Sequence, residues 1–217
     1  MSHPLSRRTP DTSLAIEEYT DRIVAAALAE FGQKGYAATH LGDIARRAGL
    51  STPALLHLFT SKEEIFREVV RSTLIDALRS LDCGALPASD ASAVDAVRAF
   101  ARRYWSTMER PELTAMLRLT ISELPRFPEL AVFHATETLE RFLRALERII
   151  ENGIARGELR AVDVRASART VLATLAAHAL WFAYPDVYAG LIGHDRERAA
   201  AATIESIIRS LAPIEPL

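Results

Sequence analysis

The sequence predicts an all-α protein of about nine helices. Ala alone fills 37 of the 217 positions, against nine Gly and ten Pro, and aromatic residues make up only 7%, a composition that favours helix over strand. Apolar residues recur at spacings of three and four through most of the chain, and no alternation of useful length suggests a strand.

The first helix is expected over residues 17–33, with Ile23, Val24, Ala27, Leu28 and Phe31 along one face and Gly32 and Gly35 to stop it. The second follows Thr39 as N-cap and runs through Leu41, Ile44, Ala45 and Ala48 to a break at Gly49. The third follows Ser51, tolerates Pro53 in its first turn and ends near Leu58. Ser61 with Glu64 three residues later reads as a capping box opening a fourth helix over residues 62–81. A linker over residues 82–89, holding Gly84 and Pro87, separates these four from helices expected over residues 91–109, 112–123, 129–155, 164–182 and 195–211. Pro111, the Pro125 to Pro128 corner, Gly153 with Gly157, Pro185 and Gly193 mark the breaks between them. No repeat of fixed period argues for a solenoid.

Composition excludes several classes. At 49% hydrophobic and 25% charged, with a net charge of -2, the chain reads as a soluble globular protein of one or two domains. Cys83 has no second thiol for a disulfide or a Cys-based zinc site, which fits a reducing, cytoplasmic setting; nothing beside it in sequence lowers its pKa for a redox role. There is no run of 18 apolar residues, and no apolar stretch behind Arg7 and Arg8, so neither a membrane span nor a signal peptide is predicted. No two of the six His stand three or four apart, and no GxSxG, Walker A, HExxH or GxGxxG string occurs. The sequence therefore predicts no metal, no cofactor and no enzyme.

The informative stretch is Leu41 to Phe59, LGDIARRAGLSTPALLHLF: two helices too short to stand alone, joined at Ala48-Gly49-Leu50-Ser51. That is the outline of a helix-turn-helix, with Gly49 at the reversal and Ile44, Leu50 and Leu55 between the helices. Bundles also turn in this way, so the spacing alone leaves a plain helical corner open. Between residues 31 and 62, Lys34, Arg46, Arg47 and Lys62 face only Asp43, a local surplus of positive charge for phosphates. The string from Ala26 to Phe66 resembles the DNA-binding domain of TetR-family (tetracycline-repressor-like) transcriptional regulators, in Phe31, Gly35, Tyr36, Thr39, Ile44, Ala45, the AGLS turn, Leu55, Phe59, Lys62 and Phe66 without a gap. The corners ELPRFPEL at residues 123–130 and Gly153 through Gly157-Glu158-Leu159 look like those of the family's C-terminal domains.

The resemblance implies an N-terminal arm (residues 1–15), a three-helix DNA-binding domain (16–62) and a helical domain for an effector and for dimerisation (63–217). Thr39 and Ser51 are expected to cap helices whose N–H groups meet phosphates, and Lys62 looks like the family's phosphate-contacting lysine, against a reading as a solvated charge. Thr52, Pro53, Leu56 and His57 are expected to face the major groove. Leu56 departs from the family, which often carries a Tyr there; it has no hydroxyl for a phosphate and offers an apolar contact for a thymine methyl. Arg46 and Arg47 read as solvated charges, and Arg7 and Arg8 as part of the arm.

In the second half, Trp105, Met108, Met116, Phe133, His134 and His178 are expected to line an effector pocket, with hydrogen-bonded core imidazoles as the alternative for the two His. The last two helices carry Leu172, Leu175, Ala176 and Ala179, then Ala200, Ala201, Ile204, Ile207, Ile208 and Leu211, and this apolar surface suggests a homodimer built as a two-fold four-helix bundle. Double-stranded DNA with a palindromic operator, a small-molecule effector and a second copy are then the partners, and effector-driven release of a repressor is the expected function. The alternatives are a helical interaction module without DNA binding and a helical enzyme with its polar groups in the second-half cavity.

Overall fold

The computed structural model describes residues 12–82, 92–184, 187–188, 190 and 195–213. Arg7, Arg8, Cys83, linker residues 83–89, Pro185 and Gly193 lie outside them. The described chain contains no strand. Its helices are α1 (Thr12–Lys34), α2 (Leu41–Ala48), α3 (Thr52–Leu58), α4 (Lys62–Asp82), α5 (Ala93–Met108), α6 (Pro111–Ser122), α7 (Pro128–His134), α8 (Glu140–Ala155), α9 (Val164–Ala183) and α10 (Arg196–Leu211). A 3-10 turn, Leu124–Arg126, precedes α7, and a π-helical segment, Ala135–Leu139, joins α7 to α8. The single helix expected over residues 129–155 is therefore one helical run with an interruption in its winding.

Local chemistry accounts for the boundaries. Side-chain oxygens of Ser92, Asp163 and Asp195 accept the N–H three residues on and open α5, α9 and α10. Ser61 accepts the Glu64 N–H at 3.1 Å, and Glu64 reaches back to the N–H of Thr60 at 2.7 Å, so the expected capping box forms with its return bond one residue earlier. Two expectations shift at the N-terminus. α1 begins at Thr12, within the stretch assigned to an arm, and runs through Gly32 to end at Gly35.

The chain divides into two compact units, Met1–Val69 and Val70–Leu217. The sequence put this boundary at residue 62, but Phe66 packs on Phe31 and Tyr36 with ring centroids 6.1 and 5.4 Å apart, and Ile65 and Val69 are fully buried. The first two turns of α4 thus complete the core of the first unit.

The second unit is built round α5, α8, α9 and α10, with Phe100, Leu146, Ile150 and Leu175 at its centre. Gly153 lies inside α8, where a Cβ would stand 2.6 Å from both the Ala93 Cβ and Leu159; Gly157, with φ 71°, turns the chain. The apolar residues assigned to a dimer contact are largely core: Leu172, Leu175, Ala179, Ile204, Ile207, Ile208 and Leu211 are buried within the single chain. The expectation that they need a second copy to cover them is overturned, because α5 and α8 cover them already.

Candidate functional site

In the first unit, α2 ends on Gly49 with φ 70° and ψ 33°, the left-handed conformation that a residue with a Cβ adopts only at a cost. The Leu50 N–H returns to the Ala45 carbonyl at 2.9 Å, and the Arg22 guanidinium of α1 donates to the Ala48 carbonyl. Arg22 is a brace that sequence reasoning missed, since its partner is a backbone atom. Ile44 and Leu55 are both fully buried, and the Ser51 hydroxyl caps α3 by accepting the Ala54 N–H at 3.3 Å. With Leu55 turned inward, Ser51, Thr52, Pro53, Leu56 and His57 all lie exposed on α3, Leu56 at 43%.

Thr39 and Lys62 have partners within the protein. His40, not Thr39, is the N-cap of α2; the Thr39 side chain is fully buried and donates to the Gly35 carbonyl at 2.8 Å, which leaves its hydroxyl no access to a phosphate. The Lys62 ammonium sits 4.5 Å from the Tyr36 ring centroid and donates to the carbonyls of Tyr36, Ala37 and Thr39 at 2.8, 3.3 and 3.0 Å. These residues brace the turn between α1 and α2.

The positive surplus is smaller than the local count implied, because Glu30 falls just outside the counted window. Its buried carboxylate pairs with Lys34 and with Arg47, each at 2.7 Å, and both hold its pKa below the usual range. Asp43 binds Arg46 and also Lys34 at 3.1 Å, and its pKa is likewise lowered, Arg46 first. Arg46 keeps 73% of its side chain exposed.

The second unit holds a mainly apolar cavity of about 70 Å³, small beside the usual small-molecule site. Of the expected residues, Met108, Met116 and His134 line it. His134 is buried, and desolvation pushes its pKa down to about 4, so the imidazole is neutral at pH 7. Trp105 is turned instead into the core, where its indole N–H donates to the Leu175 carbonyl at 3.1 Å; its ring borders a second, more polar cavity with Arg118 and Arg196. His178 lies apart from His134, bonded to the Thr174 carbonyl at 3.1 Å and the Thr203 hydroxyl at 2.8 Å, which matches the reading as a hydrogen-bonded imidazole. Phe133 stacks under the Arg71 guanidinium, 5.4 Å from its centroid, outside the cavity lining.

Sequence reasoning passed over Tyr104, Thr120, Thr138 and Phe142, all of which line the cavity. A signal was present: they stand four or eight residues from Met108, Met116 and His134, on the same helical faces. Val70 and Thr73 of α4 complete it and could not be assigned from α4 alone.

Residues 23–69 match the profile of the bacterial regulatory proteins of the tetR family, and residues 95–210 match that of the AefR-like transcriptional repressor C-terminal domain. The HTH-type transcriptional regulator YfiR of Bacillus subtilis is 26% identical over 145 residues, 65% of this chain and 68% of that protein. A TetR-family regulator from Mesorhizobium loti superposes with a TM-score of 0.69 at 27% identity, covering 91% of this chain and 98% of the other. FadR of Bacillus subtilis, solved in complex with stearoyl-CoA, shares the fold at a TM-score of 0.74 with 18% identity, covering 87% of this chain and 97% of its own.

Proposed function

The chain belongs to the TetR family of bacterial DNA-binding transcriptional regulators, and from that premise we propose that it is a repressor that binds a palindromic operator as a homodimer and releases it when a small molecule enters the second unit's cavity. The observation that carries the DNA-reading part is the exposed face of α3, where Thr52, Pro53, Leu56 and His57 stand clear on a helix held rigidly by Gly49, Ser51 and Leu55. Thr52 and His57 supply donors and acceptors for base edges or adjoining phosphates, and Leu56 an apolar contact for a thymine methyl. A regulator of this kind works beside the chromosome, in the cytoplasm, and needs no catalytic group.

Control by an effector is supported by α4. Its first turns belong to the core of the DNA-binding unit, and Val70 and Thr73 further along it line the cavity. A ligand that requires a different setting of α4 biases the DNA-binding unit through one continuous helix, and DNA must then weaken ligand binding by the same factor.

For the homodimer, the contact surface is the side of α9 and α10 turned away from their own core. Thr170, Ala173, Ala202 and Ser206 are exposed there, and Thr174 and Thr203 half-buried, small side chains that let a second pair of helices approach closely.

Selection of bound sequences from a random duplex library at about 0.1 M salt tests the reading, since nonspecific phosphate attraction is already partly screened there. Enrichment of one two-fold symmetric sequence is expected, with Thr52→Ala and His57→Ala each weakening that site by about 1–3 kcal/mol while unrelated duplexes change less. No enrichment with folded, dimeric protein overturns it in favour of an interaction module.

A further inference from the structure

The chemistry of the cavity wall narrows the ligand. Among the described residues, twelve side chains line the cavity and none is charged. Most are aliphatic, aromatic or thioether groups, as at Met116, Leu117 and Phe142. Two of the polar ones belong to buried residues, His134 at 7% and Tyr104 at 5% exposed, and both line the cavity. Burial alone, with no charge or hydrogen bond beside it, moves both titrations, His134 downward and Tyr104 upward, so each is uncharged at neutral pH. Polar groups of these two residues at the cavity wall can hydrogen-bond a ligand that enters it. His134 also opens directly into the π-helical segment Ala135–Leu139, whose Thr138 and Leu139 line the same wall. π-helical interruptions of this kind are uncommon and occur frequently at functional sites.

We infer that this cavity takes an uncharged, mainly apolar small molecule carrying an oxygen that hydrogen-bonds to Tyr104 or His134. The inference rests on the reading of the second unit as an effector domain. Among the described residues an anionic ligand meets no cation in this wall, and a carboxylate placed against them would stay desolvated and unpaired. The neighbouring cavity that shares Met108 is different: Arg118 and Arg196 border it together with Glu109, so it offers an anion two cations against one carboxylate.

The test uses the full-length protein and two probes of one ring skeleton, uncharged N-phenyl-1-naphthylamine and its anionic counterpart 1-anilinonaphthalene-8-sulfonate. The neutral probe is expected to bind saturably, at least about tenfold more tightly than the sulfonate, and to be displaced by 1-octanol but not by octanoate at pH 7.5. Met116→Trp, which fills only this cavity, is expected to abolish probe binding; Thr138→Phe is the second blocking variant should the first fail to fold. Tyr104→Phe and His134→Phe are each expected to weaken displacement by 1-octanol about three- to tenfold and to leave displacement by n-octane unchanged, a split that loss of packing does not produce. Octanoate competing as well as 1-octanol, or neutral-probe binding that survives both blocking variants, overturns the inference. Release of the selected operator duplex is measured separately. Neutral binding without release supports the ligand class and overturns effector control. An anion that fills the cavity and releases the duplex overturns the ligand class and leaves effector control standing.

Discussion

Gly49 concentrates several constraints in one residue. Its φ of 70° is costly for any side chain, and a Cβ would stand 2.7 Å from the Arg22 guanidinium that braces the Ala48 carbonyl. Gly49→Ala is expected to destabilise the first unit by about 1–2 kcal/mol and to weaken operator binding, read by amide-exchange protection of α2 and α3 alongside duplex titration. His134 gives the second unit a pH dependence. Its pKa is about 4 when folded against an ordinary 6.5, so the unfolded chain takes up the proton first as pH falls. Stability from this group is complete above pH 6.5, declines below it and reaches its full loss, up to about 3 kcal/mol, under pH 4. Urea midpoints of wild type minus His134→Phe across that window should show the decline; identical curves would remove the buried neutral imidazole as its cause. Thr39 and Lys62 teach a different lesson. Both residue types suit phosphate contact, and the sequence offered no sign that nearby carbonyls engage them first.

Elements succeed where local pattern and local chemistry agree. The fifth, sixth, ninth and tenth helices end within about two residues of their expected limits, because Ser92, Asp163, Asp195 and Pro111 act on neighbours three or four residues away. The run from α7 to α8 is legible as a helix, but its π-helical interruption is not, since no residue there forces a change of winding. Gly153 was read as one of a pair of helix stops. It instead lets α8 approach Ala93 closely, a contact between elements some sixty residues apart. Gly153→Ala is expected to cost about 1–3 kcal/mol, because the Ala93 Cβ is fixed to the α5 backbone and cannot move aside. Both tryptophans, Trp105 and Trp181, lie in the second unit, so their fluorescence during urea unfolding reports this loss where it arises.

For the whole molecule, the proposed dimer and the proposed ligand both depend on which faces the monomer leaves open. Ala173 and Ala202 are exposed on the outer side of α9 and α10, while the larger aliphatic residues of the same helices face inward. Ala173→Arg with Ala202→Arg should therefore leave the monomer folded by circular dichroism and yield monomers in sedimentation. Losing simultaneous engagement of two half-sites should lower operator affinity by about a hundredfold or more. A dimer that persists with unchanged affinity would place the two-fold contact elsewhere.

By itself the sequence determined the all-α class, the helix-turn-helix with its Gly49 reversal and Ser51 cap, the exposed residues of α3, and the family. Those features depend on periodicity, capping and turn chemistry, which act over a few residues and are written in order along the chain. Only the tertiary structure decided that Glu30 neutralises the charges beside the turn, that Leu172 and Ile204 belong to a core, and that Tyr104 joins His134 at the cavity while His178 bonds to Thr203. Each of these depends on which faces of helices distant in sequence meet, and an amphipathic pattern shows that a face is buried without showing against what.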